Sequence, residues 1–536
     1  MFTTLLLSCL LCLHPVTCRE DWRYWKRLAE DDIHEALEHK PNSNVAKNVI
    51  IFIGDGMDLT TVTASRIYKY GEDKLFPFEK FHNIGLLKTY SANKLVPDSS
   101  STATALFTGL KINHKMTGVD PLISLNDCPG SLQEEMRVDS IADWAQAAGK
   151  STGFVTTTRV THATPSGLYT HTANRNWECE AKMPVNATRC KDIAKQLVED
   201  VPGKNFNVIF GGGRQCLVSD VKGDLKDPVD KWACISKDGR NLIHDWERDK
   251  EHRGTTHAFV ENRKQLKALD VLTNQYILGI FANSHMYLRD DNGTLNVVHP
   301  RGEGPEEQPS LQEMTEVAIR ALQTNKNGYL LMVEGGLIDY AHHRGHARSA
   351  LEETVEFGKA IESALGLTKD EADETLILVT SDHAHTVVFA GYADRDQGVL
   401  GVAQASKWGS KTPYTSLLYG TGGPNNFQFD VVDGQATRVD PSTTDTTSYE
   451  YSQQTGMVTD ETTHGGADVA VYAKGPMAHL FNSVHEQTYV AYVVAYAARI
   501  GPYKDKHMSN YGLNTISTQY IFITVLAAIL TTIVLF

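Results

Sequence analysis

A chain of 536 residues, 41% apolar and 22% charged, can build one large α/β domain with insertions or roughly two to three ordinary domains. A formal charge of −14 argues against a nucleic-acid partner and repels anions in general, so a phosphate or carboxylate site must bring its own local positive charge from metals or arginine.

The chain opens with an apolar run over residues 5–13 that ends in small and polar residues near Cys18, which predicts a secretory signal over 1–18, although its first residues lack Lys or Arg. Residues 20–40 predict a charged amphipathic helix with Trp22, Trp25, Leu28, Ile33 and Leu37 near helical spacing, suited to packing on its own domain or on another subunit. The run NVIIFIGDGM (48–57) predicts a buried strand that stops at a turn carrying Asp55. In VPDSSSTATA (96–105), Pro97 punctuates, Asp98 is placed to cap, and Ser99 enters the first turn of a helix, where free N–H groups favour an alkoxide or phosphoryl group. A further strand over 151–158 leads to Arg159, His162, Thr164 and Arg175. The sequence Gly149-Lys150-Ser151 is not a phosphate-binding loop, because the glycine that motif needs is Trp144. A strand with a glycine turn follows at 207–213, and the polar stretch 220–301 reads as peripheral helices and loops.

The stretch YLLMVEGGLIDYAHHRGH (329–346) runs an apolar strand into Glu334, two glycines, Asp339 and His343. On a helix, residues four apart share a face, so Asp339 and His343 could grip one ion while Glu334 held another; alone, the pattern also fits a strand followed by a solvated helix. A helix over 350–365 precedes TLILVTSDHAH (375–385), the third apolar strand to end in ligand-type residues, here Asp382, His383 and His385. Residues 391–461, rich in Gly, Ser, Thr and Tyr, read as a β-rich insertion. His464 then returns beside glycines ahead of a strand at 469–473, and a helix over 484–498 closes the folded part. Residues 520–536 are uncharged and run apolar to the end behind a polar spacer, the layout of a GPI-attachment signal over 503–536 with Asn510 as attachment residue; a true span would want a longer run and a basic anchor. Sequons at Asn186 and Asn292 suit a glycosylated extracellular surface. Cys128, Cys179, Cys190, Cys216 and Cys234 remain after the signal, allowing at most two disulfides: Cys216 with Cys234 by proximity, Cys190 with Cys128 or Cys179, and one thiol over.

Strands alternating with helices, each strand ending in Asp, Glu, Thr or His, predict a doubly wound, mostly parallel sheet with helices on both faces. The motifs GDGM (54–57), VPDSS (96–100), TTTRVTHATPSG (156–167), NRNW (174–177), EGGLIDYAHH (334–343), TSDHAH (380–385) and THGG (463–466) together resemble the eukaryotic alkaline phosphatases of the membrane-bound, GPI-anchored type, from about 48 to 502. The resemblance implies a catalytic domain over 48–390 and 462–502, a crown insertion over 391–461, and an N-terminal arm over 19–47 that serves a homodimer. It also implies hydrolysis of phosphate monoesters at alkaline pH through a phosphoserine on Ser99. One zinc would be held by Asp339, His343 and His464, a second by Asp55, Asp382 and His383, and a magnesium by Asp55, Thr164 and Glu334. Those cations against four carboxylates leave about two positive charges for the phosphate. Arg175 would clamp phosphate oxygens, His385 would orient Asp339, and His162 would stand near the magnesium. Where relatives place an acidic residue after Phe281 to hold calcium, this chain has Ala282, and no calcium is expected. Asp58 and Tyr340 also depart from the common pattern, which bears on affinity at the rim. The sulfatase signature is missing around Ser99, and Thr164 with Glu334 sets the chain apart from phosphodiesterases. The alternative reading is a surface receptor or binding protein on the same scaffold.

Overall fold

In the computed structural model, residues 21–187, 189–224, 226–289, 308–403 and 411–505 are described. The signal segment 1–18, Asn292, Asn510 and the apolar tail lie outside the described residues. Two units are distinguished, 1–42 and 43–536. In the first, helix α1 (Trp22–Glu38) is capped by Asp21, and no residue of it is buried; Trp22, Trp25, Leu28, Ile33 and Leu37 are all exposed.

The second unit is organised on β1 (Asn48–Gly54), whose seven residues are all buried. A strand of Val, Ile and Phe without polar alternation is stable only with both faces covered, and the sheet provides that. Val49, Ile51 and Ile53 enter one apolar core and Ile50 and Phe52 the other. The ten-stranded sheet comprises β1, β2 (Asn83–Lys88), β3 (Ser151–Arg159), β4 (Val208–Gly212), β5 (His257–Val260), β6 (Tyr276–Ile280), β7 (Tyr329–Gly335), β8 (Thr375–Thr380), β9 (Val469–Lys474) and β10 (Ser483–Glu486), in the spatial order β10-β2-β9-β8-β1-β7-β3-β4-β6-β5. From β8 to β5 all neighbours are parallel; β9 runs antiparallel to both β8 and β2. This is the doubly wound, mostly parallel sheet the sequence predicts. Helices α4 (Leu311–Leu322) and α6 (Ala347–Leu367) supply the core that holds Ile50 and Phe52, and α7 (Tyr489–Ala498) supplies the core on the other face. Helix α2 (Leu59–Tyr70) follows β1, and the two remaining helices that matter to the site are α3 (Ser99–Thr108) and α5 (Leu337–His343).

Several sequence expectations are corrected. The stretch 220–301 contributes β5 and β6, so it completes the sheet rather than forming only peripheral loops. The last helix starts at Tyr489, not 484, because Val484 pairs with Leu86 in β10; this approach requires Gly85, since a Cβ there would meet the Phe481 carbonyl at 1.9 Å. Cys216 does not pair with Cys234. The disulfides are Cys128–Cys190 and Cys179–Cys234, and Cys216 is a buried free thiol. Chain proximity favours Cys216, but the turn after β4 directs its thiol toward the Cys234 carbonyl at 3.3 Å.

The insertion forms small sheets: its strands Leu417–Gly422 and Thr455–Val458 join Val387–Phe389, just before it, in one, and a hairpin of Phe429–Val432 with Gln435–Arg438 makes another. Among the described residues no helix is long and apolar enough to cross a membrane.

Candidate active site

Parallel pairing aligns strand ends. Ile53 of β1 lies level with Glu334 of β7 and with Thr380 of β8, while Thr156 of β3 lies level with Glu334 on its other side. The residues at or just past these ends, Asp55, Glu334 and Asp382, therefore meet at one edge of the sheet. All three are fully buried.

Gly336 closes the turn from β7 into α5, which brings Asp339 and His343 onto one helical face with Nε2 of His343 3.3 Å from Asp339 Oδ2. Ala384–His385 pairs antiparallel with His464–Gly465, setting His464 beside the β8 end, where its ring stacks on His383 at 3.6 Å. Gly56, at φ +66°, permits this closeness: a Cβ there would stand 2.5 Å from the His385 ring.

Three sets of donor atoms lie within 4.8 Å of one another: Asp339, His383, His385 and His464; Asp55, Asp382 and His383; Asp55, His162 and Glu334. His343 joins the first set through its 3.1 Å approach to His464. His385 bonds Asp339 at 2.5 Å, and His162 stands at the third set, where Thr164 Oγ1 is also buried.

Both Asp55 oxygens, Glu334 Oε1, Thr164 Oγ1 and His383 Nδ1 are buried without a hydrogen-bond partner among the described residues. Buried polar atoms normally find partners, so a cluster of orphaned oxygens calls for cations. Electrostatics agrees. Burial, with Asp382 and Asp339 adding to it, pushes Asp55 well above the usual carboxylate range; burial lifts Glu334 to about 7 and Asp382 to about 6. Asp339 goes the other way: although burial opposes it, His343 and His385 hold it well below its ordinary value. Burial also keeps His383 neutral, as an imidazole ligand must be. Nδ1 of His343 faces the Thr462 carbonyl at 2.8 Å and Nδ1 of His464 the Pro97 carbonyl at 2.8 Å. A carbonyl accepts only, so each Nδ1 donates to it and Nε2 is the nitrogen turned toward the cluster. The residues fit metal: the imidazole-containing sets suit zinc, and the oxygen-rich set suits magnesium.

Ser99 is the first residue of α3 and 2% exposed, with Oγ 3.2 Å from His383 Nε2. Asp98 occupies the N-cap position but makes no cap. Its carboxylate accepts from Ser100 Oγ (2.6 Å), Ser101 Oγ (2.8 Å), the Lys115 N–H (2.9 Å) and Arg175 (3.0 Å), so the first-turn N–H groups beside Ser99 stay uncapped by a side chain. Although burial opposes it, Arg175 and these donors hold Asp98 well below the usual carboxylate range. Arg175 also reaches His162 at 3.3 Å.

The sequence reading missed several further groups. Arg159 makes two 2.8 Å bonds to Glu178 and a third to His285. Thr156 and Thr158 donate to Glu334, Thr102 donates to Asp382 at 3.2 Å, and Gln487 donates to the Asp382 carbonyl at 2.5 Å. Glu178, His285 and Gln487 sit in loops, and nearly all of these groups are far from their partners in sequence; the TTT run at 156–158 is the one signal that could have been used. Ser99, Arg175, Asp98, Asp339, His343 and His464 line a single cleft of about 700 Å³.

Buried carboxylate and imidazole sets on one edge of a doubly wound sheet, with a serine at a helix start opening onto them, define a hydrolase site that works with bound cations. A family model described as alkaline phosphatase matches residues 46–500. The chain is 42% identical over 492 residues to the tissue-nonspecific isozyme of alkaline phosphatase from Homo sapiens, covering 90% of this chain and 89% of that protein. It is 37% identical over 526 residues to the membrane-bound alkaline phosphatase of Bombyx mori, covering 95% and 90%. The alkaline phosphatases of the Antarctic bacterium TAB5 and of Thermus thermophilus share its fold, each with a TM-score of 0.57, at 22% and 20% identity and covering 85% and 86% of this chain and 99% and 93% of theirs. The chain belongs to the alkaline phosphatase family. It is a metal-dependent enzyme that hydrolyses phosphate monoesters.

Proposed function

We propose that hydrolysis runs through a covalent phosphoserine on Ser99; the observation that carries this is the buried Ser99 hydroxyl at the uncapped start of α3, opening onto the carboxylate and imidazole sets. Asp339, His343 and His464 would hold one zinc, Asp55, Asp382 and His383 a second, and Asp55, Thr164 and Glu334 a magnesium, with His385 orienting Asp339 and His162 beside the magnesium. When bound, these ions lower the pKa of the serine hydroxyl, steady the departing alkoxide and neutralise the phosphate. The protein does the rest. Arg175 clamps two phosphoryl oxygens from a position fixed by Asp98. The first-turn N–H groups of α3 favour the phosphoryl group once it sits on Ser99. Ser99 Oγ gives up its proton as it bonds phosphorus, and the ester oxygen leaves as the alcohol. Water then attacks the phosphoserine from the opposite side, the Oγ–P bond breaks, and Ser99 regains its proton as inorganic phosphate departs.

The exposed apolar stripe of α1 supports its reading as an arm of a homodimer, and the small sheets within 391–461 support the reading of that insertion as the crown. A secretory signal at 1–18, glycosylation at Asn186 (exposed) and Asn292, and a GPI anchor at Asn510 would place the enzyme on the outer face of the cell membrane.

The test is hydrolysis of a chromogenic monoester at alkaline pH by the wild type, by Ser99→Ala, and by wild type stripped with chelator and refilled with zinc and magnesium. Activity should fall by orders of magnitude in the variant and on stripping, and return on refilling. A Ser99→Ala enzyme retaining wild-type activity would remove the phosphoserine.

A further inference from the structure

The cleft over Ser99 does not end at the metal sets. It opens into a second chamber of about 610 Å³, and Tyr340, His343, Arg344 and Glu461 border both. A row of planar groups links the two: the His162 and His285 rings lie 5.0 Å apart, those of His285 and Tyr340 5.7 Å, and the Arg344 guanidinium sits 3.3 Å over Tyr340. Phosphate bound at Ser99 and Arg175 must direct its ester oxygen away from the serine, and the second chamber is the adjoining space.

The charge of that chamber is lopsided. Among the described residues Arg344 is its one lining Lys or Arg, against Asp227, Asp230, Asp460 and Glu461. Of these, Asp227 is already answered by Arg214 at 2.9 Å, and Asp230 by Arg159 at 4.0 Å. The Asp460 carboxylate has no hydrogen-bond or ion-pair partner among the described residues, and a Glu461 carboxylate oxygen lies 3.6 Å from Nδ1 of His343. Trp232 stands at the mouth of both chambers with 86% of its surface exposed. Carboxylates beside an exposed indole face form a setting that attracts organic cations and repels anions.

Resting on the phosphomonoesterase reading above, we propose that the second chamber receives the alcohol half of the substrate, and that Asp460 and Glu461, with Trp232, select phosphate esters of cationic alcohols over esters whose alcohol carries a second anionic group. Asp460 and Glu461 are specificity-determining residues here and take no part in the bond changes.

The experiment measures kcat/KM of the metal-loaded enzyme for three probes: choline phosphate, whose ammonium charge does not change with pH; its neutral carbon isostere 3,3-dimethylbutyl phosphate; and 2-phosphoglycolate. At low ionic strength the choline ester should exceed the neutral ester, and the glycolate ester should trail it, each by about tenfold. Intrinsic leaving-group reactivity cancels when these ratios are compared between wild type and Asp460→Asn/Glu461→Gln, in which both should collapse several-fold toward one another. Salt at about 0.5 M should collapse them in the wild type without any mutation. Ratios that are unchanged in the variant and insensitive to salt overturn the inference while leaving monoester hydrolysis intact. Failure to turn over any of the three, the neutral ester included, overturns the phosphomonoesterase reading itself.

Discussion

Glu178 shows how one residue outside the metal sets can hold the cleft wall. It takes two bonds from Arg159 and one from Thr161, and it lies 3.8 Å from the Cys216 thiol. Although burial opposes it, Arg159 lowers Glu178 from an ordinary 4.5 to about 2. A carboxyl whose folded value is depressed contributes stability that is fully present above its unfolded value and is lost as pH falls through the folded one. Glu178→Gln should therefore destabilise the protein by about 3–5 kcal/mol near neutral pH, because Arg159 stays buried without its counter-charge. The difference in denaturation midpoint between wild type and variant should shrink as pH drops from 4.5 toward 2, and a gap constant with pH would rule the ion pair out as its source. Little of this was legible in the sequence: Glu178 and Arg159 sit 19 positions apart across a loop, and a charged residue in a polar loop gives no sign of being buried. Asp98 misleads for a related reason, since its position predicts a cap while the folded chain offers it Arg175 and the Lys115 N–H instead.

At the level of elements, the central strands were readable and the outer ones were not. β1, β7 and β8 are buried on both faces, so their sequences are unbroken apolar runs whose polar ends must mark the edge where the chain emerges into the cleft; that is why Asp55, Glu334 and Asp382 could be picked out. β5 forms the sheet's edge with β6 beside it, and both are short; Val484 belongs to a four-residue strand whose identity depends on the partner β2. The turn after β1 carries its own prediction. Gly56→Ala would cost about 1–2 kcal/mol for its left-handed backbone alone and would drive a methyl into the His385 ring, which holds Asp339. Bound-metal content after dialysis and activity should both fall sharply. A Gly56→Ala enzyme that keeps full metal and rate would mean the ring has room to move.

For the molecule as a whole, the disulfides tie distant loops together, one of them through Cys234 at the cleft, and their pattern could not be taken from spacing. Cys179 and Cys234 are 55 positions apart, whereas Cys216 is nearer to Cys234 in sequence but reaches only its carbonyl. Peptide mapping of the unreduced enzyme should return Cys128 with Cys190 and Cys179 with Cys234, and Cys216 should react with a thiol reagent only after denaturation. A peptide joining Cys216 to Cys234 would contradict the fold at that point.

The sheet order also constrains biosynthesis. β9 separates β2 from β8, and the candidate metal-binding residues span Asp55 to His464. A nascent chain that has not yet delivered residue 474 lacks both the strand that joins β2 to the sheet and, until ten residues earlier, the last imidazole. The enzyme therefore cannot be switched on piecemeal as it emerges from the ribosome: the centre becomes competent only when nearly all of the folded chain has been made.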